Sequence, residues 1–144
     1  MIDIEKHFVI IEGKCVPKER PRVNLQTGEI YTPTKTLNYE AKVKLQTKMN
    51  IKKPLEKALK VKIIVEQKMP KSWSAKKKNA VISGESIVLS VQDLDNMIKS
   101  ITDGMNKVAF KDDRQIVKIE AEKRYSETDQ VVVIIEEIGE IFGA

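Results

Sequence analysis

The segment that begins at Asp93 most constrains the fold, because an apolar helical period and a row of charged residues run through it together. At about 100° per residue, its apolar positions form one face of a helix and its polar positions form another, roughly 140° away. The first face carries Leu94, Ile98, Ile101 and Met105, and the second carries Asp95, Lys99, Asp103 and Asn106. The pattern predicts a helix over residues 94–108 that packs one side on a core and presents a carboxylate–lysine–carboxylate row on the other.

These carboxylates are clustered in a chain whose formal net charge is +5. Asp93 and Asp95 flank the start of the predicted helix, and Asp112 and Asp113 follow it in a turn before the next predicted strand. Clustered acids repel one another, so at neutral pH they need a proton or a cation to coexist. Mg²⁺ suits such a cluster, because it binds through one or two carboxylates while phosphate and water complete its shell.

A second interpretation of the same residues needs no metal. Opposite charges four residues apart, as in Asp95, Lys99 and Asp103, stabilise an exposed helix by themselves. Acids at the first turn of a helix also interact favourably with the helix dipole. This interpretation leaves Asp112 and Asp113 unexplained.

Composition indicates the kind of partner, the number of domains and the classes of site that can be excluded. The chain has 144 residues, with 26 Lys and Arg against 21 Asp and Glu and a pI near 9.2, and such a basic balance favours a polyanionic partner. We expect one domain over residues 1–144. A single cysteine, Cys15, and a single histidine exclude an internal disulfide and the usual zinc-site patterns. Since no segment predicts secretion or a membrane span, we expect a soluble, cytoplasmic protein without a membrane partner.

Outside the acidic segment, periodicity predicts a mixture of strands and helices. Thr32 and Pro33 have the chemistry of a helix start, with threonine as N-cap and proline at the first position. The helix is predicted to run to about Met49 and to carry an apolar stripe at four-residue steps, formed by Leu37, Ala41, Leu45 and Met49.

The remaining segments complete the predicted order of elements. Strands are predicted at residues 7–12, 61–67, 116–123 and 131–137, a long loop or irregular hairpin at 14–31, and a short basic helix or loop at 72–80. This order predicts an α/β or α+β fold: a single compact domain with a mixed or antiparallel sheet and two main helices.

The acidic segment resembles the signature of the RusA family of Holliday-junction resolvases. Residues 93–106 read Asp-Leu-Asp-Asn-Met-Ile-Lys-Ser-Ile-Thr-Asp-Gly-Met-Asn, and residues 110–116 read Phe-Lys-Asp-Asp-Arg-Gln-Ile. The family pattern is Asp-x-Asp-Asn, a lysine four residues after the second aspartate, an aspartate four residues further on, and an Asp-Asp pair before a strand. Residues 18–22 and 31–34 extend the resemblance to phage and prophage members, whereas Gln92 stands where many members carry proline.

The resemblance implies a compact α/β homodimer that cuts branched DNA, namely four-way junctions, with Mg²⁺ as cofactor and Mn²⁺ as a substitute. It assigns the catalytic carboxylates and metal ligands to Asp93, Asp95 and Asp113, and the essential lysine to Lys99. It implies supporting roles for Asn96, Asp103 and Asp112. The implied reaction is the resolution of Holliday junctions by paired nicks during DNA recombination and repair.

Two basic clusters are candidate DNA contacts. Lys18, Arg20 and Arg22 lie in the loop that contains prolines, and Lys76, Lys77 and Lys78 form a run of three. In either cluster the charges bind phosphate or are simply solvated. Two other functions remain open: a broader structure-selective nuclease that cuts flaps and forks, and a protein that binds branched DNA without cutting it.

Overall fold

The computed structural model describes residues 5–143. Within them, six strands, three α-helices and one short 3₁₀ helix follow one another along the chain. Their bounds are β1 Glu5–Glu12, β2 Arg22–Val23, β3 Ile30–Tyr31, α1 Thr34–Asn50, β4 Ala58–Lys68, α2 Ala75–Ser83, α3 Leu94–Met105, the 3₁₀ helix Asp113–Gln115, β5 Ile116–Ser126 and β6 Gln130–Gly139.

The four long strands form one mixed sheet in the order β1-β6-β4-β5, while β2 and β3 pair in a small separate hairpin. β4 and β5 are parallel, and the other neighbours in the large sheet are antiparallel. The predicted fold class is therefore confirmed: the chain forms a single compact α/β domain with a mixed sheet. All four predicted strands occur, and the irregular hairpin predicted over residues 14–31 contains β2 and β3.

A parallel pair of strands cannot be joined by a tight turn, so the chain must cross back between β4 and β5. This crossover carries α2 and α3. We call the end of the sheet where β4 and β5 begin, at Leu59 and Ile116, the lower end, and the end where they finish, at Lys68 and Ser126, the upper end.

One face of the large sheet, the inner face, lies beneath α1 and α3. Alternate residues of β1, β4 and β6 are fully buried there, with the period of two that a strand covered on one side requires. These residues are Val9, Ile11, Leu59, Val61, Ile63, Val65, Val131, Val133 and Ile135. The two helices approach closely at Gly104, where a Cβ atom would lie 2.8 Å from the Cβ of Val43. The close packing of α1 against α3 at Gly104 fixes the orientation of α3, and so determines which face of the helix points to solvent.

The buried side of α1 was predicted wrongly. The predicted stripe of Leu37, Ala41, Leu45 and Met49 is exposed, and the core instead receives Thr36, Tyr39, Val43 and Thr47. Thr47 is compatible with burial because its hydroxyl donates a hydrogen bond of 2.7 Å to the backbone oxygen of Val43. The predicted helix start was also wrong by one residue, since Pro33 rather than Thr32 occupies the N-cap position.

α3 ends at Met105, three residues before the predicted end. Asn106, predicted to lie on the polar face, is instead the extended C-cap residue, and Lys107 adopts a positive φ of 71°. Of the predicted apolar face, Ile101 and Met105 are buried, whereas Leu94 and Ile98 are only half-buried. The core also receives Met97, Ser100 and Gly104. Two of these residues, Ser100 and Gly104, are small, and at Gly104 the close approach of α1 leaves no room for a larger side chain.

Among residues 5–143, none of the helices combines the length and the apolar character that crossing a membrane requires.

Candidate active site

Two predicted site residues, Asp93 and Asp95, lie at the N-terminal end of α3. Asp93 is the N-cap residue, yet its carboxylate makes no capping hydrogen bond within the described chain, and Asp95 lies in the first helical turn. Both side chains are exposed. The amide of Asn96 approaches Asp93 Oδ2 at 3.5 Å, a long contact that orients the carboxylate without neutralising it. The two acids are therefore free to bind a cation, as the predicted role requires.

The chain segment that leads to these acids, residues 90–92, is held against the upper end of the sheet by hydrogen bonds. Lys123 on β5 donates hydrogen bonds from Nζ to the backbone oxygens of Ser90, at 3.0 Å, and Gln92, at 2.6 Å. The side-chain oxygen of Gln92 accepts a further hydrogen bond of 3.1 Å from Gln67 on β4. Sequence reasoning missed Lys123 and Gln67, because their link to Asp93 depends on strand pairing and not on local spacing.

Lys99 belongs to a chain of ion pairs one turn beyond Asp95. Its ammonium lies 3.3 Å from Asp103 Oδ1, and the other oxygen of Asp103 lies 3.2 Å from Nζ of Lys18. Lys18 also binds Glu40 on α1 at 2.5 Å. Burial alone would lower the pKa of Lys18, but the hydrogen bonds and charges of Glu40 and Asp103 outweigh it, so the pKa is raised.

These ion pairs leave the two lysines, Lys18 and Lys99, with different exposure and different access to a ligand. Lys18 is half-buried between Glu40 and Asp103, so its charge is used within the protein. Lys99 is largely exposed beside Asp103 and can still reach a ligand in solvent. Glu40 was missed from the sequence, because it lies on α1 and meets Lys18 only after the helices pack.

Asp112 and Asp113 lie at the opposite, lower end of the sheet. Asp112 is the N-cap of the 3₁₀ helix, where its carboxylate accepts a hydrogen bond of 2.9 Å from the backbone N–H of Arg114. This hydrogen bond and the Arg114 guanidinium hold the pKa of Asp112 below its usual value. Gln115 fixes the helix by donating to the backbone oxygens of Leu55, at 2.8 Å, and Lys57, at 3.0 Å, just before β4. Asp113 itself is exposed.

Asp113 therefore does not lie beside Asp93 and Asp95 within the chain. α3 has 12 residues, which correspond to about 18 Å at 1.5 Å per residue. After α3 the chain stays at the lower end, because the N–H of Leu55 donates to the backbone oxygen of Ala109 at 2.8 Å. Ile116, three residues after Asp113, begins β5 at the lower end. Lys123, which binds the backbone oxygen of Gln92 just before Asp93, lies seven residues further along β5, or about 23 Å away at roughly 3.3 Å per residue.

The carboxylates match the oxygen ligands that Mg²⁺ prefers, but of the three predicted ligands only Asp93 and Asp95 lie at the N-terminal end of α3. Within residues 5–143, the one group of three histidine, cysteine or acidic side chains with ligand atoms within 4.8 Å of one another is Glu5, His7 and Glu137. It lies on β1 and β6 at the lower end and includes none of the predicted metal ligands. The metal chemistry fits two of the three predicted ligands locally and leaves Asp113 outside.

The first basic cluster lies next to α3. The backbone N–H of Lys18 donates to the backbone oxygen of Asn96 at 2.8 Å, which fixes the following loop beside the acidic end of the helix. Arg20 and Arg22 on this loop are exposed, and Arg22 pairs with Glu19 at 3.0 Å. The Arg20 guanidinium is thus accessible to an anion from solvent, whereas that of Arg22 is shared with Glu19.

The second basic cluster forms the first turn of α2. Ser74 caps this helix by accepting a hydrogen bond of 3.2 Å from the N–H of Lys77. Lys76 and Lys77 are exposed and Lys78 is half-buried. The Nζ of Lys77 lies 4.2 Å from the centre of the Trp73 ring, an arrangement typical of a cation–π contact. This cluster is separate from the loop that carries Arg20 and Arg22.

Comparisons with known proteins agree with the motif at the start of α3. The model of the family described as Endodeoxyribonuclease RusA matches residues 12–136. An uncharacterized protein of Bacillus subtilis (strain 168), YqaN, is 29% identical over 133 residues, which cover 89% of this chain and 94% of that protein. Since the family match spans most of the chain and includes every predicted site residue, this chain belongs to the RusA endodeoxyribonuclease family.

Proposed function

We propose that this protein is a Mg²⁺-dependent endodeoxyribonuclease that resolves Holliday junctions by paired nicks. The observation that carries the proposal is the pair of exposed carboxylates, Asp93 and Asp95, at the start of α3 in a chain of this nuclease family. A structural N-cap would use the Asp93 carboxylate for a hydrogen bond to the helix, and here it makes none within the described residues. Two unneutralised acids favour catalysis over simple DNA binding, because acids without a cation weaken binding to phosphate.

The roles of individual residues follow from what phosphodiester hydrolysis requires. Asp93 and Asp95 would hold Mg²⁺, which when bound supplies Lewis acidity toward the scissile phosphate and makes an attacking water more acidic. Lys99 supplies a positive charge one turn further along α3, where it can stabilise the charge that develops on phosphate. Asp103 keeps this ammonium in place at 3.3 Å before the substrate binds. Arg20 and Arg22 bind the flanking phosphates.

The working unit in this proposal is a homodimer. A four-way junction has approximate two-fold symmetry, and resolution requires matched nicks in two strands, so two cutting centres are needed. An isologous pair of copies supplies them. Because Asp113 lies at the other end of the sheet from Asp93 and Asp95, we infer that it completes the metal site of the second copy and not of its own protomer.

The reaction is tested by incubating the protein with a labelled synthetic four-way junction, with and without Mg²⁺. Linear duplex and flap substrates serve as controls. The proposal predicts symmetrical nicks in the junction that require Mg²⁺ and no cutting of duplex. Comparable cutting of flaps would indicate a broader structure-selective nuclease, and binding without cutting would indicate a junction-binding protein; either result contradicts the proposal.

The inferred exchange of Asp113 has its own test, in mixed dimers of Asp95→Asn and Asp113→Asn protomers isolated with two different tags. Each variant alone is expected to be inactive. If Asp113 acts on the second copy, one of the two sites in the mixed dimer has both native acids, so the mixed dimer nicks one strand. If all three acids act within one protomer, the mixed dimer is as inactive as its parents.

A further inference from the structure

Lys123 lies on the inner face of the sheet, where a strand that is covered on one side requires mainly apolar side chains. It pairs with Val65 of β4, which is fully buried, so the two side chains point to the same face. A lysine in such a position is costly unless its ammonium finds polar partners. Here the half-buried Lys123 donates from Nζ to the backbone oxygens of Ser90, at 3.0 Å, and Gln92, at 2.6 Å. Its charge is therefore used to hold the segment before α3.

Gln67 on β4 gives the same segment a further contact. It lies two residues after Val65, so its side chain points to the same face as that of Lys123. Its Nε2 donates a hydrogen bond of 3.1 Å to the side-chain oxygen of Gln92, and Gln67 itself is only 8% exposed. Two polar side chains at the upper end of the inner face therefore bind the same stretch of chain.

The hydrogen bonds from Lys123 and Gln67 are the main anchors of residues 87–92. This segment belongs to no helix or strand. Three of its apolar side chains are at least 83% exposed and so contribute little packing: Ile87, Leu89 and Val91. Within residues 5–143, every hydrogen bond that reaches residues 87–92 comes from Lys123 or Gln67. Without them, the segment would have little to fix its path.

The anchored segment leads directly into the candidate metal site. Gln92 precedes Asp93, the N-cap residue of α3, whose backbone is extended with φ −77° and ψ 129°. Asp95 lies within α3 and is placed by the helix, which its close packing on α1 fixes. Asp93 is instead the joint between the helix and the segment that Lys123 holds. The position of its carboxylate relative to Asp95 therefore depends on how the chain is held at Gln92.

We propose that Lys123 is a positioning residue for the candidate metal site, which acts by holding the backbone before Asp93 in place. The inference rests on the proposed function in one respect, namely that Asp93 and Asp95 bind Mg²⁺. This ion demands near-ideal octahedral geometry, so a displaced carboxylate is a poor ligand. Residues that hold metal ligands in place typically change metal affinity or activity by about 10- to 100-fold when they are replaced. Lys123 itself touches neither the metal nor the phosphate in this account.

The first test measures the order of the segment in the metal-free protein by NMR relaxation. Lys123→Met keeps the apolar stem of the side chain and removes the donor. Backbone order parameters of residues 90–93 are expected to fall from about 0.85 in the wild type to below about 0.6 in this variant. Lys118→Met is the matched control, because Lys118 is also on β5 but is exposed and lies 4.0 Å from Glu120. An equally rigid segment in Lys123→Met would overturn the inference.

The second test measures Mg²⁺ affinity by calorimetry. We expect binding to be about tenfold weaker in Lys123→Met and unchanged in Lys118→Met. If Lys123 acts through Asp93, adding Lys123→Met to Asp93→Asn should weaken Mg²⁺ binding no further, because coupled residues are not additive. In junction cleavage, a higher Mg²⁺ concentration should restore kcat while KM for the junction stays unchanged. A further tenfold loss in the double variant, or a change in KM alone, would contradict positioning of the metal ligand.

A milder variant keeps the inference testable if Lys123→Met does not fold, which circular dichroism checks. Gln92→Ala removes only the side-chain contact with Gln67 and leaves both hydrogen bonds from Lys123 to the backbone. We expect a smaller change in the same direction, with Mg²⁺ affinity lowered by about threefold. Wild-type order and wild-type Mg²⁺ affinity in Gln92→Ala would then overturn the inference.

Segment order and Mg²⁺ affinity do not depend on DNA cleavage, so the positioning role and the proposed function can fail separately. If Lys123→Met lowers both while the wild type leaves every junction intact, the result supports the positioning role and contradicts the nuclease. If the wild type and Lys123→Met cut junctions with the same Mg²⁺ dependence, the result supports the nuclease and overturns the positioning role.

Discussion

Lys18 and Asp103 form an ion pair of 3.2 Å that joins the basic loop to the helix carrying the candidate catalytic acids. The same loop is fixed a second time by the hydrogen bond from the Lys18 backbone to Asn96. Lys18 is therefore held against α3 at two points, and Arg20 and Arg22 follow it along the chain by two and four residues. If these arginines bind phosphate, as we propose, Lys18 links the DNA-binding loop to the helix that carries the candidate catalytic acids.

Replacement of Arg20 and Arg22 by glutamine is expected to weaken junction binding and to flatten its salt dependence. Each lost phosphate contact should lower the slope of log affinity against log salt by roughly one unit. The measurement is a binding titration of labelled junction at several salt concentrations. Lys52→Gln combined with Lys53→Gln removes the same charge beyond the end of α1 and should leave the slope nearly unchanged. Equal slopes for the wild type and the arginine variant would show that the arginines are merely solvated.

Gly104→Ala is expected to destabilise the protein, although alanine favours a helix. The new methyl group would lie 2.8 Å from Val43 Cβ and 3.0 Å from the backbone oxygen of Glu40, so α1 and α3 must separate. Overpacking of this kind typically costs about 1–3 kcal/mol. Urea unfolding measures the change. Gly139→Ala is the control, since a Cβ there meets no atom within 4 Å; equal stability of the two variants would contradict close helix packing.

The pH dependence of stability should include a contribution from Glu137. Burial alone would raise the pKa of this carboxyl, but the hydrogen bonds with His7, at 3.1 Å, and with Glu5, together with the charges of His7 and Lys57, outweigh burial, and the pKa lies below its usual 4.5. A lowered pKa stabilises the fold above 4.5, and this contribution is lost as pH falls through the folded-state value.

The corresponding measurement is urea unfolding of the wild type and Glu137→Gln between about pH 5 and pH 3. The variant is expected to lose less stability over this range than the wild type does. Glu140→Gln, which removes an exposed carboxylate three residues away, should follow the wild type. Parallel curves for Glu137→Gln and the wild type would show that Glu137 contributes nothing.

Local patterns predicted the strands and the position of α3, because period-two and helical patterns are properties of short segments. They failed for the orientation of α1, where threonine and tyrosine occupy the core. Thr47 can do so because its hydroxyl bonds to the backbone of its own helix. Residue type alone does not reveal this hydrogen bond.

The sequence also predicted only part of the candidate site, namely the part that lies on a single helix. The motif identified Asp93, Asp95 and Lys99 as a group, and the structure has them on the first turns of one helix. It could not reveal that Asp113 lies at the other end of the sheet, because that depends on the parallel pairing of β4 with β5. The ion pairs of Lys18 could not be predicted either, because Glu40 and Asp103 meet it only when α1 packs against α3.

Cleavage of a labelled four-way junction by Asp95→Asn, compared with the wild type in Mg²⁺, tests the central claim most directly. Loss of a metal ligand should reduce cutting at least a hundredfold, or about 3 kcal/mol in activation free energy. Binding should persist or tighten, because one negative charge facing phosphate is removed. Glu140→Gln should cut normally. Near-normal cutting by Asp95→Asn would contradict the account of the active site at the start of α3.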